Sequence, residues 1–283
     1  MPELEVFIIS WVGQTQRALA IAAQLKGVAS RVTIVHSEPE DLFAGCEAHL
    51  IAVPEDHYFG RKFEAALKAR QSELMMFITA DADSPDWQVV ALRCREAFAK
   101  LEELAVWSPK VWYSSWSLAK VWIAQLAVQP LQAVVMTDSI VWAFNSRIAD
   151  RLSRIDFSLN NYGYGIDTLA AMAAHTSGQA VAMDPGVEIA HPKGSGYSPD
   201  EALEQAKQFI HQFTLAEKLV WEALREYLRL RRGETYFPDP RLTSPTPYAL
   251  HHELVRPPVP PAVIGEGQEG GTDRADGEAP PDR

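Results

Sequence analysis

The chain has 283 residues, of which 47% are hydrophobic and 22% are charged, so it can bury a large core as one domain or as two fused units. Its formal net charge is −11 and it has no long run of lysine or arginine, which argues against a nucleic-acid binder that uses a broad basic face. The two cysteines, Cys46 and Cys94, lack CxxC spacing. A disulfide framework and a thiolate metal cage are therefore excluded.

The amino terminus, MPELEVFIIS, lacks the basic start, apolar core and cleavage pattern of a signal peptide. No apolar run approaches the roughly 18 residues that a membrane-spanning helix needs. These features predict a cytoplasmic protein.

The first third of the chain alternates short apolar strands with helices. Strands are predicted at 4–10, 31–37, 48–54 and 74–79, with helices at 14–27 and 60–70. This order predicts a parallel sheet covered on both faces, with ligands at the carboxyl ends of the strands. Ser10, Trp11, His36 to Glu38 and Asp81 to Asp83 should therefore gather along one rim. No GxGxxG follows the first strand, which argues against an ordinary dinucleotide-binding domain.

The rest of the chain is predicted to contain a helix at about 86–104, one strand or two within 133–146, a helix ending near Gly178 and a short strand pair after it. A helical, amphipathic region follows at about 199–232. We expect one domain at 1–198, made of two halves that meet at about residue 105. A helical extension at 199–255 and a disordered Pro/Gly/acidic tail at 256–283 complete the expected organisation.

The stretch FITADADSPDW, from Phe77 to Trp87, ends a buried strand with two carboxylates. Asp81 and Asp83 point the same way on an extended backbone, and they repel each other unless a cation lies between them. Hard oxygen ligands of this kind suit Mg²⁺ or Mn²⁺ bound to substrate phosphates. The alternative is a simple helix start, with Ser84 or Asp83 as the cap and Pro85 at the first helical position.

Two later segments add candidate ligands. His191 follows an apolar strand and begins HPKGSGYS, and Asp167 ends the glycine-containing loop NNYGYGID. Histidine is a common metal ligand, and an aspartate beside a loop that approaches a ligand can act as a general base. The alternatives are an ordinary surface or core histidine and an aspartate favoured by a helix dipole.

In this order and spacing, the alternating α/β region, Asp81-Ala82-Asp83, YGYGID and HPKGSGY resemble the GT-A nucleotide-sugar glycosyltransferases, especially their family-2-like branch. The resemblance covers roughly residues 4 to 198. It implies an α/β GT-A fold, with a mostly parallel central sheet flanked by helices. It further implies that residues 1–198 are the catalytic domain, with a donor half to about 105 and an acceptor half from about 106. It also implies metal-dependent transfer of a sugar from a nucleotide-diphosphate sugar to a hydroxyl acceptor, which would be a glycan, a lipid-linked molecule or a small molecule.

The resemblance also implies residue roles. Asp83 would ligate the metal, Mn²⁺ or Mg²⁺, with Asp81 on the metal or the donor ribose and His191 closing the site. Asp167 would be the base of an inverting reaction. The implied contacts to the nucleotide sugar are Ser10, Trp11, Glu38, Lys62, Asp81, Ala82 and Lys193. The second strand ends in IVHSEPE where relatives have a more acidic VVDDGS type of sequence, so the nucleotide that is bound stays open.

Aromatic residues could bind the acceptor, because rings stack on sugars. The candidates are Trp107, Trp112, Trp116 and Tyr164. The alternative for each tryptophan is packing at the junction of the two halves. The helix near 217–232 has three alternative uses: packing on the catalytic domain through Leu219, Trp221, Leu224 and Leu228, pairing with a second copy, or lying on a membrane surface.

Two other functions stay open. A nucleotidyltransferase that makes nucleotide sugars would carry a glycine-rich, basic loop after the first strand, whereas SWVGQTQR has one glycine and one arginine. A non-catalytic carbohydrate-binding or scaffold protein could retain the same fold.

Overall fold

The computed structural model describes residues 1–112, 114, 116–192 and 198–231. Its strands are β1 Leu4–Ile9, β2 Arg31–His36, β3 His49–Ala52, β4 Leu74–Thr79, β5 Leu104–Val111, β6 Trp122–Gln125, β7 Gln132–Val134, β8 Val141–Asn145 and β9 Ala180–Ile189. Its helices are α1 Thr15–Leu25, α2 Phe59–Ala69, α3 Trp87–Lys100, α4 Leu118–Val121, α5 Ser146–Leu152, α6 Ile166–Thr176, α7 Pro199–Ile210 and α8 Leu215–Arg231, with a short 3₁₀ turn at Glu40–Phe43.

All nine of these strands form one sheet in the order β3-β2-β1-β4-β8-β5-β9-β7-β6. Pairing is parallel from β3 to β4 and between β5 and β9. It is antiparallel where β8 joins β4 and β5, and at β7. The predicted α/β fold is confirmed, with parallel pairing concentrated in the amino-terminal half.

Hydrophobic clusters cover the two faces of the sheet. Along β1, Phe7 and Ile9 belong to one cluster, whereas Leu4, Val6 and Ile8 belong to the other, as the two-residue period of a strand requires. Helix α2 inserts Phe63 into the first cluster, where its ring centroid lies 4.5 Å from that of Phe77. Burial on both faces fixes the strand register and hence the positions of the strand ends.

The chain after α3 differs from the prediction. The helix ends at Lys100, not near 104. Residues Leu104–Val111, which include Trp107, form strand β5. The predicted strand pair is a single strand, β9, which accommodates Asp184 through a shift in register opposite Pro109 and Lys110. The guanidinium of Arg93 donates two hydrogen bonds to the Asp184 carboxylate, at 2.9 and 2.8 Å, and thereby stabilises the irregular segment.

The predicted helical region at 199–232 contains two helices, α7 and α8. The Thr214 hydroxyl accepts from the Glu217 N–H at 3.2 Å, and the Glu217 carboxylate accepts from the Thr214 N–H at 2.7 Å. This capping box starts a new helix. Helix α8 packs against the first hydrophobic cluster through the buried Leu224 and Leu228, whereas Leu219 is exposed. The tail at 256–283 lies outside the described residues.

Candidate active site

One edge of the sheet collects polar residues from distant parts of the sequence. The carboxyl ends of β1, β2, β4, β5 and β9 open to this edge. The start of β8 opens there too, because Val141 pairs with Ile78 near the end of β4. The topology therefore brings together the segments after β4, after β9 and before β8, as expected of an α/β sheet.

The segment after β4 is joined to the segment after β9 by two backbone hydrogen bonds. The Asp83 N–H donates to the Ala190 carbonyl at 2.8 Å, and the Ala190 N–H donates to the Asp83 carbonyl at 2.9 Å. His191 follows directly, with Nε2 3.4 Å from Asp81 Oδ2. The structure thus brings Asp81, Asp83 and His191 to one place. They line an open depression of about 350 Å³ together with Gln14, Arg17, Ala190 and Pro192.

The start of helix α3 does not use either aspartate of the DAD triplet. Asp86 is the capping residue, because its Oδ1 accepts from the Val89 N–H at 3.0 Å. Asp83 lies three residues earlier and is exposed beside the depression. The helix-start explanation therefore applies to the second half of the segment and leaves Asp81 and Asp83 without a capping role.

Asp81 combines two opposing electrostatic effects. Burial raises the pKa of its carboxyl, but His191 and the Thr79 side chain beside it lower the pKa more, so that the net pKa is below the usual value. Asp81 Oδ1 is buried without a hydrogen-bond partner, and so is Oε1 of the neighbouring Gln14. Unpaired buried oxygens are costly, which makes this depression suited to a cation.

The oxygen and nitrogen donors that line the depression suit a hard divalent cation that also binds water and substrate. Within the described part of the chain, no three His, Cys, Asp or Glu side chains are grouped to hold a metal. Mg²⁺ commonly binds through one or two carboxylates and completes its shell with water and substrate phosphates. A cation in this depression would therefore need most of its ligands from water and substrate, in addition to the oxygen and imidazole donors that line it.

The rim at β1 and β2 contains a buried lysine. Lys62 Nζ donates to the Ser10 carbonyl at 2.6 Å and lies 4.8 Å from the ring centroid of Trp11. Burial lowers the pKa of Lys62 to about 8, although Glu38 opposes the shift. Glu38 Oε1 accepts from the Gly13 N–H at 2.5 Å, and Glu38 Oε2 is buried without a hydrogen-bond partner.

Three of the implied nucleotide-sugar contacts need revision. Ser10, Lys62 and Ala82 are each at most 2% exposed, so their side chains cannot touch a ligand in this conformation. Lys62 instead stabilises the end of β1 by donating to the Ser10 carbonyl. Trp11 and Glu38 are half-buried and remain accessible. Lys193 lies outside the described residues.

The loop before Asp167 is anchored to the start of α2. Asn161 Oδ1 accepts from the Tyr58 N–H at 2.9 Å, and the Asn161 carbonyl accepts from the Gly60 N–H at 2.8 Å. A Cβ on Gly60 would lie 1.9 Å from the Asn160 carbonyl oxygen, so this close approach requires glycine. The anchored loop fixes the first turn of α6, which carries Asp167.

Asp167 has an elevated pKa. Burial raises it to about 6, with a further contribution from the nearby Asp138, against hydrogen bonds from Thr168 and Trp116. Burial also raises the pKa of Asp138, and Ser114, the Ile140 N–H and His191 oppose that shift. Counted over the whole residue, Asp138 and Asp167 are half-buried. A carboxylate with a pKa near 6 is mostly ionised at pH 7 and is a stronger base than an unshifted aspartate.

The four aromatic acceptor candidates differ in exposure. Trp107 is fully buried in β5, so its ring packs the core and cannot stack on an acceptor, which corrects that prediction. Trp112 is 51% exposed and donates from Nε1 to Glu188 at 3.0 Å. Tyr164 is 39% exposed, and Trp116 is half-buried against Asp167. These three remain available at the rim.

Sequence reasoning missed two charged residues of the rim, Arg17 and Asp138. Asp138 is the only charged residue in AVVMTDSIVWAFNS, and this interruption of an apolar segment was the available signal. Arg17 sits in the first turn of α1, where the helix dipole disfavours a cation. That local conflict was its signal.

The sequence matches no protein-family model and no curated protein sequence. The structure is similar to GalNAc-T7 in complex with UDP, GalNAc and Mn²⁺, with a TM-score of 0.56 and 8% identity over 81% of this chain and 50% of that one. The chain thus spans about half the length of that protein.

Two bacterial structures are also similar. Residues 1–349 of S. aureus TarS in complex with UDP-GlcNAc have a TM-score of 0.54, with 13% identity over 81% of this chain and 72% of that one. Glucosyl-3-phosphoglycerate synthase from Mycobacterium tuberculosis, in complex with phosphoglyceric acid, has a TM-score of 0.51, with 14% identity over 83% of this chain and 81% of that one. At such identities the likeness shows the fold alone. The chain has the GT-A fold of nucleotide-sugar glycosyltransferases.

Proposed function

We propose that this protein is a metal-dependent glycosyltransferase that moves a sugar from a nucleotide-diphosphate sugar to a hydroxyl acceptor with inversion. The observation that carries the proposal is the convergence of two different carboxylate sites on one rim of a GT-A sheet. Asp81 and Asp83 meet His191 on one side, and Asp167 has a pKa of about 6 on the other. Such a transfer needs one site for the departing diphosphate and one for a base.

In this reaction Asp167 accepts the proton of the acceptor hydroxyl. The hydroxyl oxygen forms a bond to the anomeric carbon while the bond from that carbon to the diphosphate oxygen breaks. A single displacement of this kind inverts the configuration at the carbon. The partial burial that raises the pKa of Asp167 also limits water at the site, which favours transfer over hydrolysis.

Asp81, Asp83 and His191 would hold Mn²⁺ or Mg²⁺. When bound, the cation supplies positive charge that stabilises the departing diphosphate. Trp11 and Glu38 are proposed to contact the nucleotide, because they lie at the ends of β1 and β2 and remain accessible. Trp112, Trp116 and Tyr164 are proposed to contact the acceptor.

The proposal concerns a protein that acts on a soluble donor. None of the helices in the described ranges has both the length and the apolar character needed to cross a bilayer. We keep the hydroxyl acceptor open among glycans, lipid-linked molecules and small molecules, because acceptor choice depends on a few polar contacts in the pocket.

Calorimetry with a panel of nucleotide-diphosphate sugars, with and without Mn²⁺, tests donor binding. We expect binding that requires the cation, followed by release of nucleoside diphosphate when a hydroxyl acceptor is added. Donor binding without turnover across a broad acceptor panel would instead indicate a carbohydrate-binding or scaffold protein. Formation of a nucleotide sugar from a nucleoside triphosphate and a sugar phosphate would indicate a nucleotidyltransferase.

A further inference from the structure

Helix α1 carries an arginine where a helix alone would not favour one. Arg17 is the third residue of α1, and the first turn of this helix contains no acidic residue. Positive side chains in the first turn are unfavourable because of the helix dipole. A residue that breaks a local rule needs a compensating partner elsewhere in the structure.

The partner of Arg17 is the backbone of Ala80, Asp81 and Ala82, which directly follows β4. Arg17 Nε donates to the Ala80 carbonyl at 3.0 Å, and Nη2 donates to the carbonyls of Asp81 and Ala82 at 3.2 and 3.1 Å. Three successive carbonyls at the end of β4 are therefore held by one side chain. These bonds fix the backbone that carries both carboxylates.

The guanidinium retains donors for a ligand. An arginine has five N–H donors, and three of them are used by these three carbonyls. Among the described residues, none accepts a hydrogen bond from Arg17 Nη1. Arg17 lines the same depression as Asp81, Asp83 and His191. The start of α1 adds the positive end of a helix dipole beside it.

We infer that Arg17 both positions and binds at the diphosphate site: it clamps the backbone of Ala80, Asp81 and Ala82 and donates from Nη1 to the bound diphosphate. This inference rests on the proposed function, because the diphosphate belongs to the donor. The combination suits an arginine and not a lysine, since only the planar fork can serve several carbonyls and an anion together.

The test compares Arg17→Gln with a matched variant, Arg95→Gln. Arg95 also donates to two backbone carbonyls, those of Pro2 at 3.1 Å and Val28 at 2.9 Å. Pro2 precedes β1 and Val28 follows α1, so this control lies at the opposite edge of the sheet. The two substitutions remove comparable bonds, but only one of them touches the depression.

A panel of UDP, GDP, CDP and ADP with Mn²⁺ first identifies the nucleoside diphosphate that the wild-type protein binds. That ligand and its monophosphate are then titrated into each variant. We expect Arg17→Gln to weaken diphosphate binding by roughly 10- to 100-fold, the usual value of a lost charge-assisted hydrogen bond. Monophosphate binding should change by less than about threefold, and Arg95→Gln should leave both affinities unchanged.

Arg17→Lys separates the clamp from the charge and serves as a second variant if Arg17→Gln folds poorly. It keeps the positive charge but cannot bond three carbonyls, so we expect a loss of diphosphate affinity between those of Arg17→Gln and the wild type. Wild-type affinity in Arg17→Lys would overturn the clamp. Equal weakening of monophosphate and diphosphate in Arg17→Gln would overturn the diphosphate contact. A wild-type protein that binds no nucleoside diphosphate would overturn the proposed function itself, and with it this inference.

Discussion

Two pairs of aspartates at the same sheet edge have opposite electrostatic environments. Asp81 and Asp83 lie at an open depression, where His191 and Thr79 keep the pKa of Asp81 below its usual value despite burial. Asp138 and Asp167 are enclosed by protein, and burial raises the pKa of both. The first environment keeps charge and suits a cation, whereas the second favours proton uptake and suits a base. Residue type alone does not assign these roles.

The largest expected effect comes from Asp167→Asn. An amide cannot accept the acceptor proton, so we expect the transfer rate to fall by roughly 10²- to 10⁴-fold, while donor affinity stays close to that of the wild type. Steady-state rates and donor titration measure the two quantities. Asp150→Asn, an exposed substitution on α5, is the control. A fully active Asp167→Asn would show that Asp167 is not the base.

Asp83→Ala should remove a proposed cation ligand from the open depression. Loss of even an indirect ligand contact costs roughly 10- to 100-fold in metal affinity, and we expect a direct carboxylate to cost at least as much. Mn²⁺-dependent donor binding should therefore weaken by that amount, whereas any binding seen without the cation should not. Unchanged binding in the presence of Mn²⁺ would contradict the proposed role of Asp83.

Gly60→Ala should disturb the enclosed pair through its supporting loop. The new Cβ would lie 1.9 Å from the Asn160 carbonyl oxygen, so the loop or α2 must shift, at a cost of about 2 kcal/mol in the free energy of unfolding. Chemical denaturation measures the loss. Gly178→Ala is a useful comparison, because its Cβ meets no atom within 4 Å although its φ is +72°. The cost at Gly178 reports backbone strain alone, so a Gly60→Ala variant as stable as the wild type would show that the close approach at Gly60 is not what matters.

The smallest expected effect is on pH dependence. Asp167 must be ionised to accept a proton, so transfer should be present above its pKa and should be lost as the pH falls through about 6. The charge of Asp138 raises that pKa, so Asp138→Asn should move the acidic limb of the rate profile to lower pH by less than about one unit. A limb that moves to higher pH would contradict the coupling of the two carboxyls.

The parts of the fold that sequence reasoning found are those with strong periodic patterns. β1, β2, β4, α1 and α2 lie within a few residues of their predicted bounds, because long apolar strands alternate there with good helix formers. β5 was missed because Pro109 and the neighbouring serine weaken its strand pattern. The break before α8 was readable in Thr214 and Glu217, a capping box within a longer amphipathic stretch.

The residues of the candidate site also fall into two groups: those that a local sequence motif predicted and those that depend on strand order. Asp81, Asp83, Asp167 and His191 stand in short distinctive segments, and the structure brings Asp81, Asp83 and His191 together. Asp138 could not be placed, because its position depends on β8 running antiparallel between β4 and β5. Strand order is a tertiary property that no local pattern records.

The Asp83–Ala190 bridge spans the ends of two other strands, since β8 and β5 lie between β4 and β9 in the sheet. Its two ends are more than a hundred residues apart in the sequence. During synthesis, β1 to β4 can therefore emerge and pair long before β9 exists, and throughout that interval His191 is missing from the depression. The proposed cation site is therefore incomplete until β9 and His191 have been synthesised.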